Sequence, residues 1–150
     1  MRKDIEIDYQ VLAESGCGVV ALDDRQRYQF EQRWREAFAR RVKQKTGSWA
    51  HGTFDWHAFS HGFTRSLKGA RALDAYSRTI APEFVVTPHY PEEIAFRCQG
   101  GQLPSYSGFG VDRYAFDLEC TWTMVFTHEA ECGPYYCESR WLTGDQGEWS

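Results

Sequence analysis

From Glu83 onward the chain is a series of short apolar runs parted by turn residues, and no other feature constrains its fold more. "EFVVTPHY", "EEIAFRC", "DRYAFDL", "CTWTMVFT" and "GPYYCESRW" each have the length of a strand, and the last three are closely spaced. Runs rich in Val, Phe, Tyr, Trp and Thr favour pleated backbone, and short connections favour antiparallel neighbours. An antiparallel meander ending in a C-terminal hairpin is therefore expected. In "TWTMVFT", Trp122, Met124 and Phe126 fall on one face, and Thr121, Thr123, Val125 and Thr127 on the other. A strand with two usable faces belongs in a sheet interior.

The first half carries helical spacing. Phe30, Trp34, Ala37, Phe38 and Val42 make one stripe on a helix of about residues 24–45, with Asp23 or Asp24 as N-cap. "RSLKGARALDAYSRTIAPE" predicts a second helix, with Leu67, Ala70, Leu73, Tyr76 (or Ser77) and Ile80 inward and Pro82 closing it. Ile5, Ile7 and Tyr9 alternate with Asp4, Glu6 and Asp8, which predicts a strand at the start. Phe54, Trp56 and Ala58 alternate with Asp55, His57 and Phe59, the pattern of a short strand or an extended buried segment. The fold class is α+β: a single domain over 1–150, two helices packed on a mostly antiparallel sheet, with a frayed tail at about 143–150. Trp34, Phe38, Trp56 and Trp122 are expected to share one core.

At 150 residues the chain is long enough for one domain with a real core, and 16% aromatic residues build that core from rings. Five Cys is an odd number, so at least one is unpaired within the chain. The start lacks the apolar stretch of a secretory signal, so reduced thiols and a cytoplasmic location are expected. No window has the apolar length of a membrane span. The net charge of −4 conceals an asymmetry: residues 25–45 carry eight Lys/Arg against two Glu, whereas 83–150 carry three Arg against eleven Asp/Glu. An acidic C-terminal half suits a protein partner with a basic surface and does not suit direct nucleic-acid binding.

His51, His57, His61 and His128, with Cys132 and Cys137, are the metal-ligating residue types at hand. They show neither a paired Cys-x-x-Cys nor a helical His-Glu-x-x-His, so no metal or cofactor is expected. Cys132 follows His128 by four residues, and Glu129 could orient the imidazole, as nucleophilic catalysis requires. No oxyanion element accompanies them. "QGGQLPSYSGFG" lacks the Lys-Ser/Thr of a phosphate loop and reads as a connection or a binding loop, whose Tyr106 and Phe109 suit contact with a partner and would equally anchor the loop to the core. Asp112, Glu119 and Glu131 are the acidic candidates for the same partner surface.

"WHAFS" (56–60) and "DLECTWTMVFTHEAECGPYYC" (117–137) together resemble the two signature segments of a bacterial family, domain of unknown function 4275. The matching positions are Trp56, His57, Phe59, Ser60, Asp117, Trp122, Thr123, Val125, Thr127, His128, Glu129, Gly133, Pro134, Tyr135 and Tyr136. The family brings no established activity. The resemblance implies that His57 and the Thr127–Glu129 turn belong to one arrangement at the hairpin end.

The function expected is that of a small cytoplasmic protein-binding inhibitor, such as an immunity protein neutralising a bacterial toxin or a phage-encoded blocker of a defence nuclease. Size, abundant Tyr and Trp and the acidic C-terminal half carry that expectation. The alternative is an enzyme or small-ligand protein with a site at His57, His128, Glu129 and Cys132.

Overall fold

The computed structural model describes residues 2–47, 57–60, 64–129 and 133–142, with side chains described from Ile5 and, in 57–60, only for Ala58 and Phe59. Expectations placed on Trp56, His51, His61, Cys132, Glu131 and the 143–150 tail lie outside the described residues, as do the side chains of His57 and Ser60.

The chain is α+β, built on a single antiparallel sheet. In order along the chain, the described residues form α1 (Arg2–Ser15), β1 (Gly18–Ala21), α2 (Asp24–Phe38), α3 (Arg40–Thr46), α4 (His57–Ser60), β2 (Leu67–Lys68), α5 (Ala70–Ser77), β3 (Glu83–Pro88), β4 (Phe96–Gln99), β5 (Arg113–Asp117), β6 (Trp122–Phe126), β7 (Tyr135–Glu138) and a closing 3₁₀ turn, Ser139–Leu142. The strands lie in the order β1-β4-β3-β5-β6-β7-β2, every neighbouring pair antiparallel.

Helices cover both faces of this sheet. Val11 and Leu12 of α1 and Ala72 and Tyr76 of α5 pack with Phe84, Val86, Phe96, Ala115, Trp122, Met124 and Phe126 on one side. Trp34, Phe38 and Val42 of α2 and α3, with Ala58 and Phe59 of α4, pack with Val85, Tyr114, Phe116, Val125 and Tyr135 on the other. Burial on two faces explains why β5 and β6 read as nearly continuous apolar runs. The two-faced reading of β6 holds. Trp122 and Trp34, expected in one core, lie on opposite sides of the sheet; Trp34 instead donates its indole N–H to Thr123, the next residue, at 2.8 Å.

Two helices are too few. The start is α1 and not a strand: Asp8, Val11 and Leu12 are buried while Tyr9 and Gln10 are exposed, a spacing of three and four that the alternation over 4–9 masked. The stripe over 24–45 is divided at Ala39 into α2 and α3. Asp23 caps α2 through a capping box, accepting from the Gln26 N–H at 2.7 Å while the Gln26 side chain accepts from the Asp23 N–H. α5 starts only at Ala70 and buries Ala72 and Tyr76; Leu73 and Ile80, expected inside, are exposed, and Leu67 belongs to β2. Residues 57–60, expected to be extended, are helical.

Gly101 fixes how α1 meets the sheet. Its φ is +70°, and an added Cβ would stand 2.5 Å from the Ser15 carbonyl oxygen, so only glycine fits this approach.

Candidate functional site

At the end of the sheet where β5 begins and β3 ends, a charged group sits inside the protein. Arg113 opens β5 in register with Ala115, so its side chain enters the layer between the sheet and α1. Its guanidinium donates from Nε to Asp8 Oδ1 at 2.8 Å, and from one terminal nitrogen to Asp8 Oδ2 at 3.0 Å and Glu93 Oε2 at 3.1 Å. The side chains of Arg113, Asp8 and Glu93 are 2%, 1% and 3% exposed. Tyr106 donates its hydroxyl to Asp8 Oδ1 at 2.7 Å. Burial alone would push the Arg113 guanidinium down, but the hydrogen bond and charge of Asp8, with Glu93, more than offset it and hold it above its ordinary value. Burial, then the Asp8 carboxylate, pushes the Tyr106 phenol well up. A buried ion group of this kind is strongly destabilised when one partner is removed, because the remaining charges stay desolvated.

A second arginine holds the neighbouring connection from the opposite layer. Arg27 of α2 is buried and donates to the carbonyls of Pro91 (3.1 Å), Glu93 (2.6 Å) and Tyr90 (3.0 Å), and pairs with Glu31 at 3.0 Å. The connection between β3 and β4 is therefore pinned from both faces of the sheet.

His128 follows β6 beside this group. Asp112, buried, accepts from the His128 backbone N–H at 2.8 Å, and both its oxygens lie 3.0 Å from His128 Nδ1. Nε2 lies 3.5 Å from Glu129 Oε1, and the His128 side chain is 36% exposed. The main carboxylate partner of His128 is thus Asp112, and its sequence neighbour Glu129 is the more distant one. Thr127 closes the turn by donating to the Glu129 carbonyl at 3.0 Å. Gly133 has φ +88°, and a Cβ there would press on the Tyr135 ring at 3.1 Å and Thr127 Cγ2 at 3.3 Å. Phe59 of α4 stacks on Tyr135 at 5.7 Å, which brings the 57–60 segment against the hairpin.

The candidate contacts fare differently. Tyr106 is 1% exposed and Asp112 is 6% exposed; both belong to the interior, so neither offers a surface for a partner. Phe109 is half-buried against the core. Glu119 is exposed on the β5–β6 turn, at the far end of the sheet from Arg113. Among the described residues no three His, Cys, Asp or Glu side chains gather as a metal would require, and no helix is long and apolar enough to cross a membrane. The four described cysteines, Cys17, Cys98, Cys120 and Cys137, are free thiols.

The reasoning from sequence missed the residues beside the buried arginines. Tyr9, next to Asp8, is 52% exposed; Tyr28, next to Arg27, is 62% exposed; Tyr90, whose carbonyl Arg27 holds, is 45% exposed. β1 adjoins them, because Ala21 pairs with Phe96 and the Leu22 N–H donates to the Ala95 carbonyl. It is an edge strand exposed along its whole length, with Val20 67% exposed. Among the described residues from β1 to the start of α2 and in the β3–β4 connection, Asp23, Asp24 and Glu92 are exposed against Arg25, while Arg97 is tied to Glu83 at 2.8 Å. One signal was available: an Arg in register with Ala115 inside an apolar run needs a buried carboxylate. Comparison with protein families, characterised proteins and solved structures finds no match to this chain.

Proposed function

We propose that the chain is a protein-binding inhibitor whose contact surface is the corner formed by β1, the start of α2 and the β3–β4 connection. The observation that carries this reading is the coincidence there of an exposed edge strand, the two exposed tyrosines Tyr28 and Tyr90, and the exposed carboxylates of Asp23, Asp24 and Glu92. An unpaired edge gives main-chain hydrogen bonds to an added strand. Tyrosine gives contact area at small entropic cost. Carboxylates steer a basic partner inward. The buried arginines supply rigidity, since Asp8, Arg27 and Glu93 hold the segments that carry the tyrosines. A target with a basic surface, such as a toxin or a defence nuclease that itself handles phosphate backbones, matches that chemistry. This reading places the surface away from Tyr106 and Asp112. Cytoplasmic action and membership in the family that the hairpin resembles are parts of the same proposal.

The test is affinity capture from the source cell with the parent and with Tyr28→Ser/Tyr90→Ser. The parent is expected to retain a basic protein that the double variant loses while keeping the parent's melting midpoint. Equal capture by both would remove the corner from the account.

A second reading has its own observation. Asp112 against His128 Nδ1 is the arrangement that orients an imidazole for proton transfer through Nε2. It supports an enzyme or small-ligand protein, with Glu129 beside Nε2. Under that reading His128→Ala keeps its stability and loses all function, whereas the inhibitor reading has it lose stability and keep its partner.

A further inference from the structure

Far from the tyrosine corner, at the end of the sheet where β6 starts and β7 finishes, a cleft of about 970 Å³ opens between α3 and α5. We propose that it binds a small phosphorylated molecule of nucleotide size.

The charges point that way. Arg40, Arg41, Arg78 and Arg140 line the cleft, against the carboxylates of Glu36 and Glu138. Two of the arginines are already neutralised, Arg78 by Asp74 and Arg140 by Glu138. Arg41 is half-buried and forms no ion pair with a described residue. Arg40 donates only a long bond, 3.4 Å, to the Glu36 carbonyl in its own helix. Two cationic side chains that line one cleft, neither in an ion pair with a described residue, suit an anion with two or more charged groups. Their positions follow from the fold: the break at Ala39 starts α3 afresh and places Arg40 and Arg41 at the mouth.

The opposite wall suits the rest of such a ligand. Ala37, Ala75 and Leu142 are half-buried along the cleft, and Trp122 and Tyr136, only 6% and 3% exposed, back it from the sheet side. The Tyr136 hydroxyl lies 3.0 Å from Thr79 Oγ1 and donates to Glu138 Oε2 at 3.2 Å, so a polar group sits beside the apolar floor. Pockets of ~300–1,000 Å³ with an apolar lining and a few charged groups hold small molecules. Phosphates satisfy Arg40 and Arg41, and the base or sugar of a nucleotide lies against the apolar wall of Ala37, Ala75 and Leu142. This site is independent of the protein-binding corner and survives the failure of that reading.

Calorimetric titration of the full chain at fixed ionic strength tests it, with ADP, pyrophosphate and citrate as the three probes. ADP is expected to bind more tightly than pyrophosphate, and citrate not to bind. Arg40→Gln/Arg41→Gln is expected to weaken ADP binding by about a hundredfold, roughly tenfold for each charge-assisted contact. Its unliganded melting midpoint should match the parent's; Arg140→Gln, on the exposed rim, is a milder variant that should lose a smaller part of the affinity. No heat with ADP, citrate binding as tightly as ADP, or unchanged ADP binding in both variants would each overturn the proposal.

Discussion

At the scale of single residues, Arg113 decides most. It is 2% exposed and shared between Asp8 and Glu93, so Arg113→Met leaves two carboxylates buried without their cation. Urea unfolding should show a loss of ~3–5 kcal/mol. Asp8→Asn and Arg113→Met should not be additive, because both break the same bonds. His128→Ala should cost less, ~1–2 kcal/mol, since the ring is partly exposed and Asp112 keeps the backbone N–H of residue 128. A variant folded as stably as the parent would contradict this. The His128 turn was legible in the sequence, as Thr-His-Glu at a strand end; its partner Asp112 was not, because it comes from the preceding loop, sixteen residues earlier along the chain. Asp8 hid in an apparent strand alternation, where a buried acid looks the same as an exposed one.

Among the elements, the central strands carry the stability. Trp122 is buried against Tyr76 and Tyr136, and truncation to Ala should cost ~3–5 kcal/mol by denaturant unfolding. Trp34→Phe removes one buried hydrogen bond to Thr123 and should cost ~0.5–1.5 kcal/mol. The thiols report the same packing. Burial pushes Cys98 from its ordinary 9.0 up to about 12, and burial with the Asp117 charge does the same for Cys120. At pH 8 a thiol alkylating reagent should therefore label the half-exposed Cys17 much faster than Cys98 or Cys120. Equal rates would mean that β4 and the β5–β6 turn open readily. The strands of the C-terminal half were readable because each is a short run rich in apolar residues, alternating in β4 and near-continuous in β3, β5 and β6, bounded by turn residues. α1 was misread because nine residues of mixed charge and apolar character fit two periods at once. The direction of α5's buried face depended on Gly69, where the helix begins, and spacing alone did not locate that start.

For the whole molecule, alkaline pH is the sensitive direction. Cys98, Cys120 and Tyr136 are raised to about 12, from ordinary values of 9.0, 9.0 and 10.0. Their neutral forms are favoured in the folded state, so this contribution is fully present below pH 9. The unfolded chain ionises first above that value, and stability should fall as pH rises from about 9 towards 12. A melting midpoint that stays level through this window would contradict the burial of these groups. The central claim is that the molecule is a preorganised binder, with buried arginines holding tyrosines beside an exposed edge strand. Hydrogen–deuterium exchange of the chain, alone and with the captured partner, tests it most directly. The account expects new protection at the amides of residues 18–21 and in the 89–95 connection, with exchange at 127–137 unchanged. Protection confined to 127–137, with β1 exchanging as freely as before, would contradict it and move the site to His128.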